Sequence, residues 1–146
     1  MAGILIVDDV EINRMILREI LSDKYEIYEA ENGVEAIDYL FNVEELPDAV
    51  LLDIMMPGMD GYEALDLIRN NPRTVHIPVL LITAADAKTN ETKGIQCGAN
   101  DFIVKPINPD VVKARVDSHV ALAQYRQDLE ILLVARPKKE TCFGIL

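Results

Sequence analysis

Five groups that could do chemistry each stand at the end of an apolar run. Asp8 and Asp9 follow Ile4-Leu5-Ile6-Val7, and Asp53 follows Ala49-Val50-Leu51-Leu52. Thr83 follows the run from Ile77 to Ile82, and Lys105 follows Phe102-Ile103-Val104. Three carboxylates crowded into one small site disfavour joint ionisation unless a cation lies among them. Hard divalent cations take oxygen ligands, and Mg²⁺ is typically held by one or two carboxylates while keeping several waters. Lys105 adds a fixed positive charge. Thr83 adds a hydroxyl that can donate to an anion, and the small Ala84 and Ala85 after it leave room. Around one carboxylate, this set describes phosphoryl transfer. Asp53 would be the nucleophile and form an aspartyl phosphate, while Mg²⁺ and Lys105 spread the charge developing on the phosphoryl oxygens. Taken singly, each residue has a plainer explanation. Asp53 caps the turn before Pro57-Gly58, Asp8 or Asp9 caps a helix, Thr83 is a turn hydroxyl, and Lys105 is a solvated charge.

What joins these groups is the order of elements. The four apolar runs are short and bounded by turn residues, as strands buried on both faces are. A fifth, Tyr25-Glu26-Ile27-Tyr28-Glu29, alternates like a half-exposed strand. Helical spacing falls between the strands. Ile12, Met15, Ile16 and Ile20 suggest the apolar face of a first helix. Ala36, Ile37 and Leu40 mark a second helix, ending before Pro47. A third runs from about Tyr62 to Arg69, before Asn70-Asn71-Pro72. The fourth, Asp86 to Gln96, is weak: it carries Thr89, Asn90, Thr92 and Gly94, and few apolar anchors. The last begins at Asn108 and meets no stop signal before Arg136-Pro137. Strand and helix alternate five times. The fold expected is α/β and doubly wound, with a five-stranded parallel sheet in order 2-1-3-4-5 and helices on both faces. All the candidate groups then share the C-terminal sheet edge.

Composition narrows the function further. At 146 residues the chain has room for one domain and a short appendage. A net charge of −11 argues against nucleic acid and anionic membranes as partners. No apolar run approaches the roughly 18 residues of a membrane span. The N-terminus reaches acidic residues too soon for a secretory signal, and Cys97 and Cys142 read as free thiols, so a cytoplasmic location is expected. His76 and His119 read as structural or surface residues without partners, and Met55, Met56 and Met59 as turn and core packing.

The motifs Leu5-Ile6-Val7-Asp8-Asp9, Leu51-Leu52-Asp53-Ile54-Met55-Met56-Pro57-Gly58-Met59-Asp60-Gly61, Ile82-Thr83-Ala84 and Gly98-Ala99-Asn100-Asp101-Phe102-Ile103-Val104-Lys105-Pro106 together resemble the receiver domain of two-component response regulators. The resemblance covers about residues 3 to 122. It implies that Asp53 accepts a phosphoryl group from a histidine kinase or phosphotransfer protein. It implies a Mg²⁺ site, which Mn²⁺ can also fill, made by Asp8, Asp9, Asp53 and the backbone carbonyl of Met55. Thr83, Ala84 and Lys105 would bind the phosphoryl oxygens, Thr83 and Phe102 would form the switch, and the bond before Pro106 would be cis. Where the family often has Tyr, this chain has Phe102, which lacks the hydroxyl. The weak fourth helix suits a switching element, which belongs to the low-stability end of a fold.

The expected organisation is a receiver over residues 1–122, an extension of the last helix over 123–136 and a flexible tail over 137–146. Leu122, Tyr125, Leu129 and Leu132 recur at a,d-like spacing, either as a helix packed on its own domain or as a stalk that pairs two copies or leads to an output domain. Similar receivers precede cyclic-di-GMP synthesis or hydrolysis domains. Two alternatives compete with the phosphoacceptor. One is a degenerate receiver that binds partners without phosphate. The other is an aspartate-dependent phosphohydrolase, which needs a second acid commonly two residues beyond the nucleophile, where this chain has Met55. A receiver of this kind has no separate substrate turnover.

Overall fold

The computed structural model describes residues 1–84 and 88–134. The tail expected over 137–146, together with Ala85, Asp86 and Cys142, lies outside the described residues. The elements run β1 Gly3–Val7, α1 Glu11–Leu21, β2 Glu26–Ala30, α2 Gly33–Asn42, β3 Ala49–Asp53, α3 Gly61–Arg69, β4 Val79–Ala84, α4 Lys88–Cys97, β5 Asp101–Lys105 and α5 Pro109–Val134. All four strand pairings are parallel, and the order is β2-β1-β3-β4-β5. This is the flavodoxin-like arrangement expected from the alternation.

Side chains alternate across the pleat, so each central strand feeds two cores. Leu5, Val7, Val50, Leu52, Val79 and Leu81 face α2 and α3, against Ala36, Leu40, Ala64, Leu65 and Ile68. Ile4, Ile6, Ala49, Leu51, Leu80 and Ile82 face α1 and α5, against Leu17, Leu21, Val112, Val116 and Val120. That double burial explains the continuous apolar runs of β1, β3 and β4. The edge strand β2 keeps Glu26, Tyr28 and Glu29 exposed. Two helices open with side-chain caps: Asn32 accepts from the Glu35 amide, and Asp60 from the Glu63 amide. Asn32 is therefore a helix cap.

One expectation needs correction. In α1, the residues facing the sheet are Arg14, Leu17 and Leu21, whereas Ile12, Met15 and Ile16 are 39–55% exposed. Both triplets have helical spacing, and burial of the two leucines decides which one faces inward. In α5, the last buried residue is Val120. Beyond it Leu122, Tyr125, Leu129, Ile131, Leu132 and Leu133 are 48–66% exposed. The helix is about 39 Å long at 1.5 Å per residue. No helix among the described residues is long and apolar enough to cross a membrane.

Candidate functional site

The sheet register carries the candidate groups to one edge. Val7 pairs with Leu52, Asp53 with Ile82, Thr83 with Val104 and Ala84 with Lys105. One carboxylate oxygen from each of Asp8, Asp9 and Asp53 lies within 4.8 Å of the others. Asp8 and Asp53 are buried, and Asp9 is exposed. Asp53 Oδ1 accepts from the Met55 amide at 3.1 Å, which is the turn-capping bond that the Pro-Gly turn suggests. Its Oδ2 faces Lys105 Nζ at 3.4 Å. Asp53 thus both shapes its own turn and keeps an oxygen toward a cation.

Asp8 Oδ1 accepts from the Val10 amide at 2.9 Å and faces Asn13 Nδ2 at 3.5 Å. This bond sits before α1 and is no helix cap: the cap residue is Val10, with no side-chain hydrogen bond. Asp8 Oδ2 is buried and has no hydrogen-bond partner among the described residues. Burial drives the Asp8 carboxyl above the usual carboxylate range, the Val10 amide opposes this, and the nearby Asp53 charge adds to it. An orphaned, buried carboxylate oxygen beside two further carboxylates has the chemistry of a hard-cation ligand set. These residues therefore fit a divalent cation. Thr83 Oγ1 is the second buried atom without a partner among the described residues. A buried hydroxyl left unpaired costs about 1–3 kcal/mol, so Thr83 stands ready to donate to an incoming acceptor.

The loop after β3 is held close. A Cβ on Gly61 would lie 2.6 Å from the Asp53 carbonyl oxygen, so only glycine lets α3 begin against this turn. Met56 is buried and Met59 packs at the core margin, but the Met55 side chain is 75% exposed. Met55 is therefore not core packing. Ala84 is an exposed residue at the end of β4. The Lys105–Pro106 bond is cis. Phe102 is half-buried on the core face shared by α2 and α3, and its ring lies under Gly94 of α4.

His119 has a partner: its Nε2 lies 3.0 Å from Asp101 Oδ2, while Arg115 Nη1 binds Asp101 Oδ1 at 2.7 Å. Burial would raise the Asp101 carboxyl, but the Phe102 amide, His119 and Arg115 hold it below the usual range. This group ties the start of β5 to α5, away from the carboxylate edge. His76 is exposed, as a surface residue should be. The residue that sequence reasoning missed is Arg14, which is buried and donates to the Asp8 carbonyl at 2.7 Å. An arginine at the helical spacing of Leu17 and Leu21 is its one trace in the sequence, and the rival Ile12-Met15-Ile16 stripe masks it.

The response regulator receiver domain family matches residues 4–117. The chain is 42% identical over 118 residues to the response regulator PleD of Caulobacter vibrioides, which covers 80% of this chain and 26% of that protein. It is 38% identical over 139 residues to a probable cyclic di-GMP phosphodiesterase of Vibrio cholerae, covering 94% of this chain and 30% of that protein. Among solved structures, a response regulator of Chloroflexus aurantiacus superposes with a TM-score of 0.78 at 34% identity, covering 82% of this chain and 98% of that one. The receiver domain of a LuxO repressor protein from Vibrio parahaemolyticus gives a TM-score of 0.81 at 30% identity, covering 88% and 97%. The chain thus spans roughly a quarter to a third of the length of these two curated relatives. Matching fold, strand-end residues and family together place this chain in the response regulator receiver domain family of two-component systems.

Proposed function

We propose that this domain is a phosphoacceptor. A carboxylate oxygen of Asp53 attacks the phosphorus of a phosphohistidine, the phosphorus–nitrogen bond breaks, and the donor imidazole keeps the electron pair. The single observation that best supports this reading is convergence: the Asp8, Asp9 and Asp53 oxygens lie within 4.8 Å of one another, with Lys105 at 3.4 Å from Asp53. Asp8, Asp9, Asp53 and the Met55 carbonyl would hold Mg²⁺, or Mn²⁺ in its place. When bound, the ion neutralises charge on the transferring group. Lys105 loses its carboxylate partner oxygen to the new bond and turns its charge to the phosphoryl oxygens. Thr83 donates its unpaired hydroxyl to one of them, with room left by Ala84. The pull on Thr83 then moves β4 and the Phe102 ring, and the face formed by α4, β5 and α5 changes its affinity for a partner or an attached output domain.

The exposed Ile12, Met15 and Ile16 form a stripe on α1, the helix that follows Asp8 and Asp9. An apolar surface beside the site suits docking of the histidine-bearing donor. The exposed leucines beyond Val120 suit a stalk that pairs two copies or carries the signal onward, so we take 1–122 as the receiver and 123–136 as its extension. The relatives named for PleD and cyclic di-GMP hydrolysis support an output in that signalling chemistry. A phosphohydrolase reading lacks support, because the position two beyond Asp53 carries the apolar, exposed Met55. Incubation with a radiolabelled histidine kinase phosphate tests the proposal. Label should pass to the wild-type chain and not to Asp53→Asn; label on both, or on neither, would refute it.

A further inference from the structure

We infer that Arg14 is a positioning residue for the cation site, holding the peptide that joins Asp8 to Asp9; this rests on the cation reading proposed above. Arginine is almost never buried without partners. Arg14 is 8% exposed and lies among the leucines on the inner face of α1, where a third leucine would fill the space without a charge to desolvate. Its partners show what the charge does there. Nη1 donates to the Asp8 carbonyl at 2.7 Å, a buried bond. Nε donates to Glu29 at 3.1 Å, and Nη2 lies 3.8 Å from Glu31. Glu29 is steadied in turn by Arg18 at 2.6 Å.

The Asp8 carbonyl belongs to the planar peptide between the two acids, so fixing that oxygen fixes the plane from which both side chains depart. The neighbouring peptide is held from the other side, where the Asp8 amide donates to the Ala30 carbonyl at 3.2 Å. Arg14 therefore reaches from β2 through its own helix to the turn that presents Asp8 and Asp9 to Asp53. A planar fork can serve the carbonyl and Glu29 together, whereas a lysine ammonium on a flexible stem cannot hold both in fixed geometry. Arg18 shares Glu29 but makes no hydrogen bond to the Asp8 turn among the described residues. It supplies an internal control.

The test is calorimetric titration of Mg²⁺ into wild-type, Arg14→Lys and Arg18→Lys protein, each checked for its fold by circular dichroism. Outer-shell partners of metal ligands typically carry 10- to 100-fold in affinity. Arg14→Lys should bind Mg²⁺ about 10-fold more weakly, while Arg18→Lys matches wild type. The phosphorylation rate at saturating Mg²⁺ should be unchanged in Arg14→Lys, so the defect appears in half-saturation and not in the plateau. If Arg14→Lys does not fold, Glu29→Ala removes the partner that orients the fork and should weaken Mg²⁺ binding in the same direction. Wild-type affinity in the folded variant overturns the inference. If wild-type protein itself takes up no Mg²⁺, the cation reading has failed and this inference with it.

Discussion

The Phe102 ring lies against Gly94 with no side chain between them: a Cβ on Gly94 would stand 2.8 Å from Phe102 Cε1 and Cζ. The same Cβ would lie 2.7 Å from Leu81 Cδ1. Glycine inside a helix costs about 1 kcal/mol relative to alanine, and here close approach explains it. Helix α4 rests directly on the Phe102 ring, which we propose as part of the switch, so neither can shift far without the other.

Gly94→Ala sets two effects against each other. Helix propensity gains about 1 kcal/mol, while overpacking a tight contact costs typically about 1–3 kcal/mol. The contact distances favour overpacking, so thermal denaturation should show a lower Tm than wild type. A raised Tm would mean that α4 moves off the ring at little cost.

Asp8 should weaken the metal-free fold. Its carboxyl is raised in the folded state by burial and by Asp53, so protonated Asp8 favours folding. That stability is complete below the unfolded carboxylate value and is lost as pH rises through the folded one. Near neutral pH without divalent ions, Asp8→Asn should therefore raise Tm, and added Mg²⁺ should no longer raise it further. Paired melts with and without Mg²⁺ check both statements; a lower Tm for Asp8→Asn in metal-free buffer would contradict the first.

Asp101 behaves in the opposite sense. Its carboxyl is depressed in the fold despite burial, because the Phe102 amide, His119 and Arg115 favour the charged form. The stability it contributes is present above the unfolded carboxylate value and is lost as pH falls through the lower folded one. Asp101→Asn should be less stable than wild type near neutral pH, and the two should converge below the usual carboxylate range. Denaturant midpoints across pH measure this. A gap that stays constant into acid would exclude the ion-pair origin.

Met15→Glu separates donor docking from chemistry. The side chain is 39% exposed, so the fold should tolerate the change. Phosphorylation by a histidine-bearing donor protein should slow, while phosphorylation by a small phosphodonor keeps its rate. Equal rates with the protein donor would remove the α1 stripe from the docking surface.

The sheet edge was legible because strands buried on both faces leave uninterrupted apolar runs, and each run ends at its polar group. Parallel order then makes neighbours of Asp8, Asp53, Thr83 and Lys105 without any reference to distance in sequence. The inner face of α1 was not legible. Two stripes share one periodicity, Ile12-Met15-Ile16 and Arg14-Leu17-Leu21, and tertiary packing alone chooses between them. Arg14 was hidden for the same reason, since a charge on an amphipathic helix ordinarily marks the wet side. The His119–Asp101 pair spans 18 residues and two elements, so no local spacing announces it. In the sequence Gly94 is only a weak point in a poor helix, and its reason is the Phe102 ring beneath it in space.

The most direct measurement is the intact mass of the protein after incubation with a small phosphodonor and Mg²⁺. Wild-type protein should gain one phosphoryl group, lose it slowly once the donor is removed, and gain none when Mg²⁺ is chelated. Asp53→Asn should gain none under any of these conditions. An unmodified wild-type chain that still binds Mg²⁺, or an adduct that survives Asp53→Asn, would show that Asp53 is not the phosphoacceptor.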